Sequence, residues 1–371
     1  MTADHALPVP RTHRARGSRR ARWCLVWMLT CFALAQAGFW WIKETVGPEL
    51  RDPEYAHKLR RVQQRVRDNP GRPLVLLLGS SRIGFGFHAD VLDCNRAGGP
   101  GEPLVFNFGM CQCTPVLQRI MLRRLLADGI RPAVVLVEWY PPFMQAGAVQ
   151  ADEFMNPIRL NWPDLQTLVG FSDQPGRLRG RWVELQLAGI YAHRHTALNR
   201  YAIAWVARPE RFDDQWAGMT PWGWTPNHHL ARPREPANLA EYIVQRAADY
   251  QSLFADWEPS KQSDAALRAI LRDLGDAGIP AALFWAPEPA WMRRWYSPDA
   301  LARIGRYLDA LCRDYRAPLV DARDWLPDEL FFEEMHPLHT GAASLARRFE
   351  RQALPLLQSG RLWAGGGGMT P

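Results

Sequence analysis

Five apolar runs, separated by helical patterns, organise most of this chain of 371 residues. The runs predict β-strands at 74–81, 104–109, 133–142, 280–289 and 317–323. Continuous apolar runs of this length are typical of strands that are buried on both faces of a sheet. Amphipathic patterns predict helices at 116–129, 263–278, 298–313 and about 340–357. Because strands that alternate with helices form right-handed crossovers, we expect an α/β fold with a mainly parallel five-stranded sheet.

Residues 143–262 do not follow this alternation. The rest of the pattern indicates a flavodoxin-like three-layer α/β/α architecture, and 143–262 is a Trp- and Arg-rich insertion that ends in a helical stretch near 236–256. We expect the insertion to cover the carboxyl ends of the strands, where open α/β sheets bind ligands. Its tryptophans either stack on sugar rings or pack inside a lid, and lid packing is favoured.

The N-terminal region contains a different kind of apolar segment, at 23–42. Only Thr30 and Gln36 carry polar side chains in it. As a helix, its 20 residues extend about 30 Å, which matches the hydrocarbon core of a membrane. The preceding arm, 1–22, is basic, and cations flank the cytoplasmic end of membrane-spanning helices. We therefore expect a single-pass anchor in the cell membrane, with a cytoplasmic N-terminus and an extracytoplasmic domain.

A cleavable signal peptide is the alternative interpretation of this segment. The sequence ALA at 33–35 offers a small-x-small cleavage site. Cleavage there leaves the aromatic stretch 39–42 as an exposed apolar stub, so the anchor is favoured, and both interpretations export the domain. Residues 43–70 are charged and helix-prone, and we interpret them as a stalk. The folded domain is then 71–360, followed by a disordered tail at 361–371.

The net charge of +7 is concentrated in the basic arm. Six arginines against one aspartate in the first 22 residues contribute about +5 of it. The remainder is close to neutral, so the high isoelectric point does not indicate a nucleic-acid partner.

Cysteine and histidine usage does not indicate a metal or a redox centre. A disulfide that joins Cys94 to Cys111 or Cys113 is compatible with export, but the sequence does not establish its geometry. The spacing of Cys111 and Cys113 is not that of thioredoxin-like or zinc motifs. The histidines form short clusters without metal-ligand spacing, at 193/195, 228/229 and 336/339. We expect no metal.

Candidate chemistry lies at the carboxyl ends of the predicted strands. Ser81 follows the first strand, and Gly109 ends the second. Glu333 and His336 precede the last helix. A carboxylate three residues before a histidine can bind one imidazole nitrogen and leave the other free to accept a serine proton. Because parallel strands end at one edge, we expect these groups to meet there.

These motifs, in this order, resemble the SGNH (GDSL-like) hydrolase superfamily. The first block matches Gly79, Ser80 and Ser81, the second matches Gly109, and the last matches Glu333-x-x-His336 with a glycine at 341, Glu replacing Asp. The resemblance covers 74–142 and 263–357 and does not reach the insertion. Among relatives, the chain looks most like membrane-anchored, exported proteins that modify envelope polymers, such as the O-acetyltransferase-like alginate and teichoic-acid proteins.

The resemblance implies a serine esterase or O-acyltransferase with no cofactor. Ser81 is then the nucleophile, His336 the base and Glu333 the orienting acid, while the amides of Ser81 and Gly109 form the oxyanion hole. The implied substrate is an acylated cell-envelope glycan or lipid. One departure concerns the third block, since 137–142 lacks the asparagine that supplies a further oxyanion donor. Losing one such donor typically costs a factor of about 10²–10³ in rate.

Several alternatives stay open at this point. A catalytically inactive glycan-binding or envelope-scaffold protein is the competing function. Ser81 can instead serve as a helix N-cap, and Glu334 or Asp328 can replace Glu333 as the acid. Arg82 either binds an anionic substrate or forms an internal ion pair, and Glu138 has no assigned role.

Overall fold

A parallel sheet forms the centre of the computed structural model, which describes residues 14–146, 155–208, 211 and 218–360. The strands are β1 (Leu74–Gly79), β2 (Leu104–Gly109), β3 (Val134–Glu138), β4 (Ala281–Trp285) and β5 (Leu319–Asp321). They are all parallel, in the order β2-β1-β3-β4-β5. This confirms the predicted α/β class and the five-stranded sheet.

Helices connect the strands and complete the layers. In the described part of the chain they are α1 (Arg14–Trp41), α2 (Pro53–Asp68), α3 (Ser81–Gly86), α4 (Asp93–Ala97), α5 (Pro115–Ala127), α6 (Pro141–Met144), α7 (Trp162–Val169), α8 (Pro175–Leu187), α9 (Gly189–Ala192), α10 (Arg194–Tyr201), α11 (Pro236–Ala255), α12 (Lys261–Asp276), α13 (Ala290–Arg293), α14 (Pro298–Tyr315), α15 (His339–Gln352) and α16 (Leu354–Gln358). Helices α5, α12 and α14 pack side by side, and α3 packs against α15.

The strand order changes direction at β1. The chain goes from β1 to β2 on one side and then crosses to β3 on the other side. At such a switch point, the loops that follow the two neighbouring strands separate and leave room for a ligand. Gly79 at the end of β1 pairs in register with Gly109 at the end of β2, so these strands end at one level. Ser81 immediately follows this edge.

The strands are shorter than the apolar runs predict. Strand β1 ends at Gly79 because Ser80 caps the helix that follows. Strand β3 ends at Glu138, since Pro141 and Pro142 begin α6, and proline lacks the N–H that a central strand needs. The apolar run continues past the end of β3 because Trp139 and Tyr140 are buried in the turn that follows the strand.

Residues 43–70 do not form the predicted stalk. Helix α2 packs against β2, and Val62 is completely buried there. Lys58 is also buried, and its Nζ donates to the carbonyl oxygens of Asn107 at 3.2 Å and Gly223 at 2.7 Å. The many charges of this segment suggested solvent exposure, but one face of the helix belongs to the folded domain.

The N-terminal helix α1 continues into a π-helical turn, Ile42–Val46. The stretch Arg19–Val46 is long and apolar enough to cross a membrane, and its most apolar window is not buried against the protein. A signal sequence has the same length and composition. The helix begins at Arg14, within the predicted basic arm. Residues 1–13 of that arm and the predicted tail at 361–371 lie outside the described residues.

The insertion brings two tryptophans to the free edge of β2. The carbonyl oxygen of Trp222 accepts the amide of Asn107 at 3.0 Å, and Trp224 Nε1 donates to the Phe85 carbonyl at 2.6 Å. The Trp224 ring stacks on His88 with 3.8 Å between ring centroids. Both tryptophans are buried, so they pack the lid instead of presenting faces to a sugar.

Candidate active site

The turn after β1 presents Ser81 at the edge of the sheet. Ser80 is the N-cap of α3, and its Oγ accepts the Arg82 amide at 3.2 Å. Ser81 is therefore the first helical residue and not the cap. The first amides of a helix have no intrahelical acceptor, and among the described residues nothing else accepts the Ser81 N–H. The Ser81 hydroxyl and its unbonded amide thus both lie at the carboxyl edge of the sheet.

His336 and Glu333 complete a Ser–His–Glu triad. His336 Nε2 lies 2.9 Å from Ser81 Oγ, across 255 positions of sequence. The other ring nitrogen, Nδ1, is hydrogen-bonded to Glu333 Oε1. The structure thus brings all three predicted triad residues together. The other two acidic candidates have different partners: Asp328 accepts the Ala290 amide, and Glu334 binds side chains of α11.

A tight loop before α15 holds the histidine. The amide of Phe332 donates to the His336 carbonyl at 3.0 Å, and the Leu338 amide donates to Leu330 O at 2.8 Å. Gly341 lies in the first turn of α15, where a Cβ atom would approach the Leu330 carbonyl oxygen to 2.6 Å. A glycine at this position therefore lets α15 pack closely against the loop that carries the acid and the base.

The surroundings of Glu333 favour its ionised form. Burial acts to raise the pKa of this carboxyl, but the hydrogen bond and charge of His336, the Tyr242 hydroxyl and the Arg234 charge outweigh it. The net pKa of Glu333 lies below its ordinary value. An ionised carboxylate beside Nδ1 keeps the proton on that nitrogen, and the Nε2 lone pair then faces the Ser81 hydroxyl. This is the arrangement that a general base requires.

Helix α11 of the insertion supports the two carboxylates of the loop. Tyr242 Oη donates to Glu333 Oε2 at 3.1 Å and to Glu334 Oε2 at 2.6 Å. Arg246 Nε donates to Glu334 Oε1 at 3.3 Å, and Glu334 is completely buried. The sequence pattern predicts this helix, but it does not indicate which helical face meets a loop about ninety residues away. The sequence analysis therefore does not identify Tyr242 and Arg246 as part of the site.

The two amides that were predicted to form an oxyanion hole differ in their hydrogen bonding. The Gly109 amide donates to the Asn107 side-chain oxygen at 2.9 Å, so it is not free to bind a substrate. Gly109 serves close packing, because a Cβ atom there would lie 2.2 Å from the Gly84 nitrogen of α3. The structure therefore does not provide the Gly109 donor that the resemblance implies. The Ser81 amide is the donor that remains.

Asn107 fastens α3 to the sheet. Its Nδ2 donates to the carbonyl oxygens of Ile83 and Phe87, both at 2.7 Å, and the side chain is completely buried. A polar residue in the middle of the apolar run 104–109 is the sequence signal for such a role. Because α3 carries Ser81, this amide contributes to the position of the nucleophile.

Arg82 points into the protein beneath the triad and does not face a substrate. Its guanidinium lies 3.9 Å from Glu138 Oε1 on one side and 3.9 Å from Glu288 Oε1 on the other, and all three side chains are buried. Nη2 donates to the carbonyl oxygen of Pro287 at 3.0 Å. The internal ion pair is thus the interpretation that the structure supports.

Glu138 connects this buried group to the nucleophile turn. Its Oε2 accepts the Ser80 amide at 2.5 Å. Burial raises the pKa of Glu138 above its ordinary value, and the Arg82 charge and the Ser80 amide offset only part of the rise. Glu138 is the last residue of β3, and its carboxylate lies against the turn that follows β1.

The six cysteines are free thiols in the structure, so neither of the considered disulfides is present. Within 14–146, 155–208, 211 and 218–360, no three His, Cys, Asp or Glu side chains are arranged to hold a metal ion. His193 is buried, and its Nδ1 contacts the Leu50 carbonyl oxygen at 2.9 Å. His228 and His229 contact each other.

Neither the protein-family models nor the curated proteins contain a match to this chain. The resemblance to the SGNH superfamily therefore rests on the motifs and on the geometry described above.

Proposed function

We propose that this protein is an SGNH-type serine esterase or O-acyltransferase. The observation that supports the proposal is the triad, in which His336 Nε2 lies 2.9 Å from Ser81 Oγ and Glu333 binds the opposite ring nitrogen. Nucleophile, base and orienting acid in hydrogen-bonded series are the recurrent arrangement of serine acyl-transfer enzymes. The site lies at the switch point of the sheet, where this class of fold binds ligands.

The reaction follows from the geometry. Ser81 Oγ attacks the carbonyl carbon of an ester while His336 Nε2 takes the hydroxyl proton. The resulting oxyanion is stabilised by the Ser81 amide. When the tetrahedral intermediate collapses, the alcohol leaves with the proton from His336, and the acyl group stays on Ser81. Water or a sugar hydroxyl then attacks the acyl-enzyme while His336 takes its proton. The second tetrahedral intermediate breaks the bond to Ser81 Oγ, which regains its proton from His336, and the acyl group leaves as an acid or as a new ester. No step needs a cofactor.

The proposed substrate is an acylated cell-envelope glycan or lipid outside the cytoplasm. The apolar segment 23–42 and the arginines that precede it support this location, because they match a membrane anchor whose N-terminus stays in the cytoplasm. The substrate class follows from the resemblance to exported members that modify envelope polymers. The choice between hydrolysis and transfer depends on which nucleophile reaches the acyl group on Ser81.

A catalytically inactive, glycan-binding or scaffold protein is the second candidate. The hydrogen bond of the Gly109 amide to Asn107 favours it, because this bond removes one of the expected oxyanion donors. The intact hydrogen bonding of Ser81, His336 and Glu333 favours the enzyme, since a protein without catalysis has no use for this series.

A serine-reactive fluorophosphonate distinguishes the two candidates. We expect the full-length protein to be labelled and the Ser81→Ala variant to lose labelling. Ser80→Ala is the matched control, because Ser80 is buried and caps α3, and losing a cap costs about 1 kcal/mol. The control should keep its labelling. Equal labelling of wild type and Ser81→Ala contradicts the proposed nucleophile, and a folded wild type that is neither labelled nor active on acetyl esters supports the inactive protein.

A further inference from the structure

One face of the apolar helix α1 is attached to the insertion. The Ile190 amide donates to Gln36 Oε1 at 3.2 Å, and Lys43 Nζ donates to Gln186 Oε1 at 2.7 Å. Gly189 permits this close approach, since a Cβ atom there would lie 3.3 Å from Gln36 Oε1. Helices α8 and α9 therefore pack along the end of α1 that enters the domain.

The Gln36 contact lies within the apolar segment, and the Lys43 contact lies just after it. Gln36 stands six residues before position 42, which corresponds to about 9 Å along a helix that rises 1.5 Å per residue. In the hydrocarbon region, a polar group needs a partner from the protein, and the Ile190 amide is that partner for Gln36. If α1 crosses a membrane, α9 lies within its outer boundary region.

The same part of the insertion exposes large apolar side chains. We define the apolar patch by five residues whose exposed fractions are 66% for Leu187, 44% for Ile190, 67% for Tyr191, 69% for Tyr201 and 84% for Trp205. Leu187 is the last residue of α8, and Ile190 and Tyr191 lie in α9, so the three stand around one helix junction. Folded proteins in water rarely keep so many large apolar groups together at the surface.

Arginines accompany the tyrosines of the patch. The Arg194 guanidinium lies 3.8 Å from the centre of the Tyr191 ring, and that of Arg200 lies 5.8 Å from the Tyr201 ring. Tyrosine and tryptophan are enriched at the membrane–water interface, and arginine beside them pairs with lipid phosphates. The patch thus combines the side chains that an interfacial helix uses.

We propose that the apolar patch inserts into the outer leaflet of the membrane that α1 crosses. Its partner is the lipid surface of that bilayer. Interfacial helices bury their apolar face by about 5–10 Å, and the contact of α9 with Gln36 places Ile190 and Tyr191 at this depth. Tyr201 lies further out, because its neighbour Arg200 pairs with Glu49, beyond the apolar segment. The inference depends on the proposed anchor and is independent of the chemistry at Ser81. It means that the domain is held on the membrane by two contacts, α1 and the patch, and does not stand away from it on a stalk.

Photo-crosslinking in membranes tests the insertion. The probe is p-benzoylphenylalanine, placed at Tyr191 or at Trp205 of the full-length protein, followed by intact-mass analysis. We expect phospholipid adducts at both positions. Val244 is the matched control, because its side chain is 73% exposed but lies on α11, which packs against α14. The probe at Val244 should give no lipid adduct.

Trp27, an exposed residue of α1, reports separately on the anchor. Absence of adducts at Tyr191 and Trp205 overturns the inference, whether or not Trp27 gives them. Crosslinks from the patch to a second copy of the chain, in place of lipid, also overturn it. Circular dichroism of the same preparations shows that the domain is folded. The test of the surface therefore does not depend on whether Ser81 reacts.

Discussion

The Ser80 amide donates to the buried carboxylate of Glu138 at 2.5 Å, and this bond ties the nucleophile turn to the end of β3. The other oxygen of this carboxylate lies 3.9 Å from the Arg82 guanidinium and compensates its charge. One buried residue thus fixes the backbone beside Ser81 and compensates a buried cation. A buried side chain with two such contacts has measurable consequences when it is replaced.

Replacing Glu138 should lower the free energy of unfolding. The loss should be larger when the new side chain keeps neither the contact with Arg82 nor the hydrogen bond from the Ser80 amide. In Glu138→Ala, Arg82 loses a buried countercharge, and breaking a buried pair typically costs about 3–5 kcal/mol. Glu138→Gln keeps an acceptor for the Ser80 amide and should cost less. Thermal unfolding of both variants in detergent measures the difference. Equal melting temperatures for Glu138→Ala and wild type would falsify this role.

Glu333 and Glu334 are adjacent in the chain but have different partners. We therefore expect Glu333→Gln to lower the reaction rate and Glu334→Gln to lower the stability. Glu333→Gln removes the charge that orients His336, and we expect ester hydrolysis to slow by about 10²–10⁴. Glu334→Gln weakens the buried contact with Arg246 instead. It should lower the free energy of unfolding by about 1–3 kcal/mol and leave the rate within about tenfold. Similar rate losses in the two variants contradict the assignment of Glu333.

Tyr242→Phe should change the pH dependence of the reaction. The Tyr242 hydroxyl helps to keep the pKa of Glu333 below its ordinary value, so its removal raises that pKa. Because His336 needs an ionised Glu333, the acid limb of the pH–rate profile should move to higher pH. The check is the profile of acetyl-ester hydrolysis for wild type and variant. An unshifted acid limb shows that Tyr242 supports the loop without affecting the acid.

Asp52, which lies outside the candidate active site, should make the stability of the protein depend on pH. The charges and hydrogen bonds of Arg159 and Arg124 outweigh the burial that acts to raise the pKa of Asp52, and they lower it from 3.8 to about 2. This shift corresponds to about 2 kcal/mol of stability. The pKa is depressed in the folded state, so this contribution is complete above about pH 4 and disappears as the pH falls toward 2.

Asp52→Asn isolates this contribution. Urea unfolding in detergent should show the variant less stable than the wild type by at least about 2 kcal/mol at pH 7. The gap should narrow between pH 4 and pH 2, because the Asp52 carboxyl of the unfolded wild type then takes up a proton while that of the folded protein is still largely ionised. A gap that is constant with pH indicates that Asp52 acts through packing or capping alone.

Local patterns were sufficient for the strands and for the Glu333–His336 pair. Continuous apolar runs identify buried strands such as β1, and a serine after one of them predicts a nucleophile at the sheet edge. Glu333 and His336 are three residues apart, so their pairing is a local property of one turn. The ends of the strands were harder to predict from the sequence. Trp139 and Tyr140 continue the apolar run of β3, but the prolines that follow begin a helix and the strand ends at Glu138.

By itself, the sequence determined the α/β class, the five strands, the apolar N-terminal helix and the Glu333–His336 pair, since each of these depends on side chains that are close together in the chain. The contact of His336 with Ser81, 255 positions away, was decided by the tertiary structure. Only the tertiary structure decided that the Gly109 amide is engaged, that Arg82 is buried and that Tyr242 reaches Glu333. It also decided that 43–70 packs into the domain. The physical reason is that hydrogen-bond partners and burial depend on how distant segments dock, and hydrophobic periodicity carries no information about that.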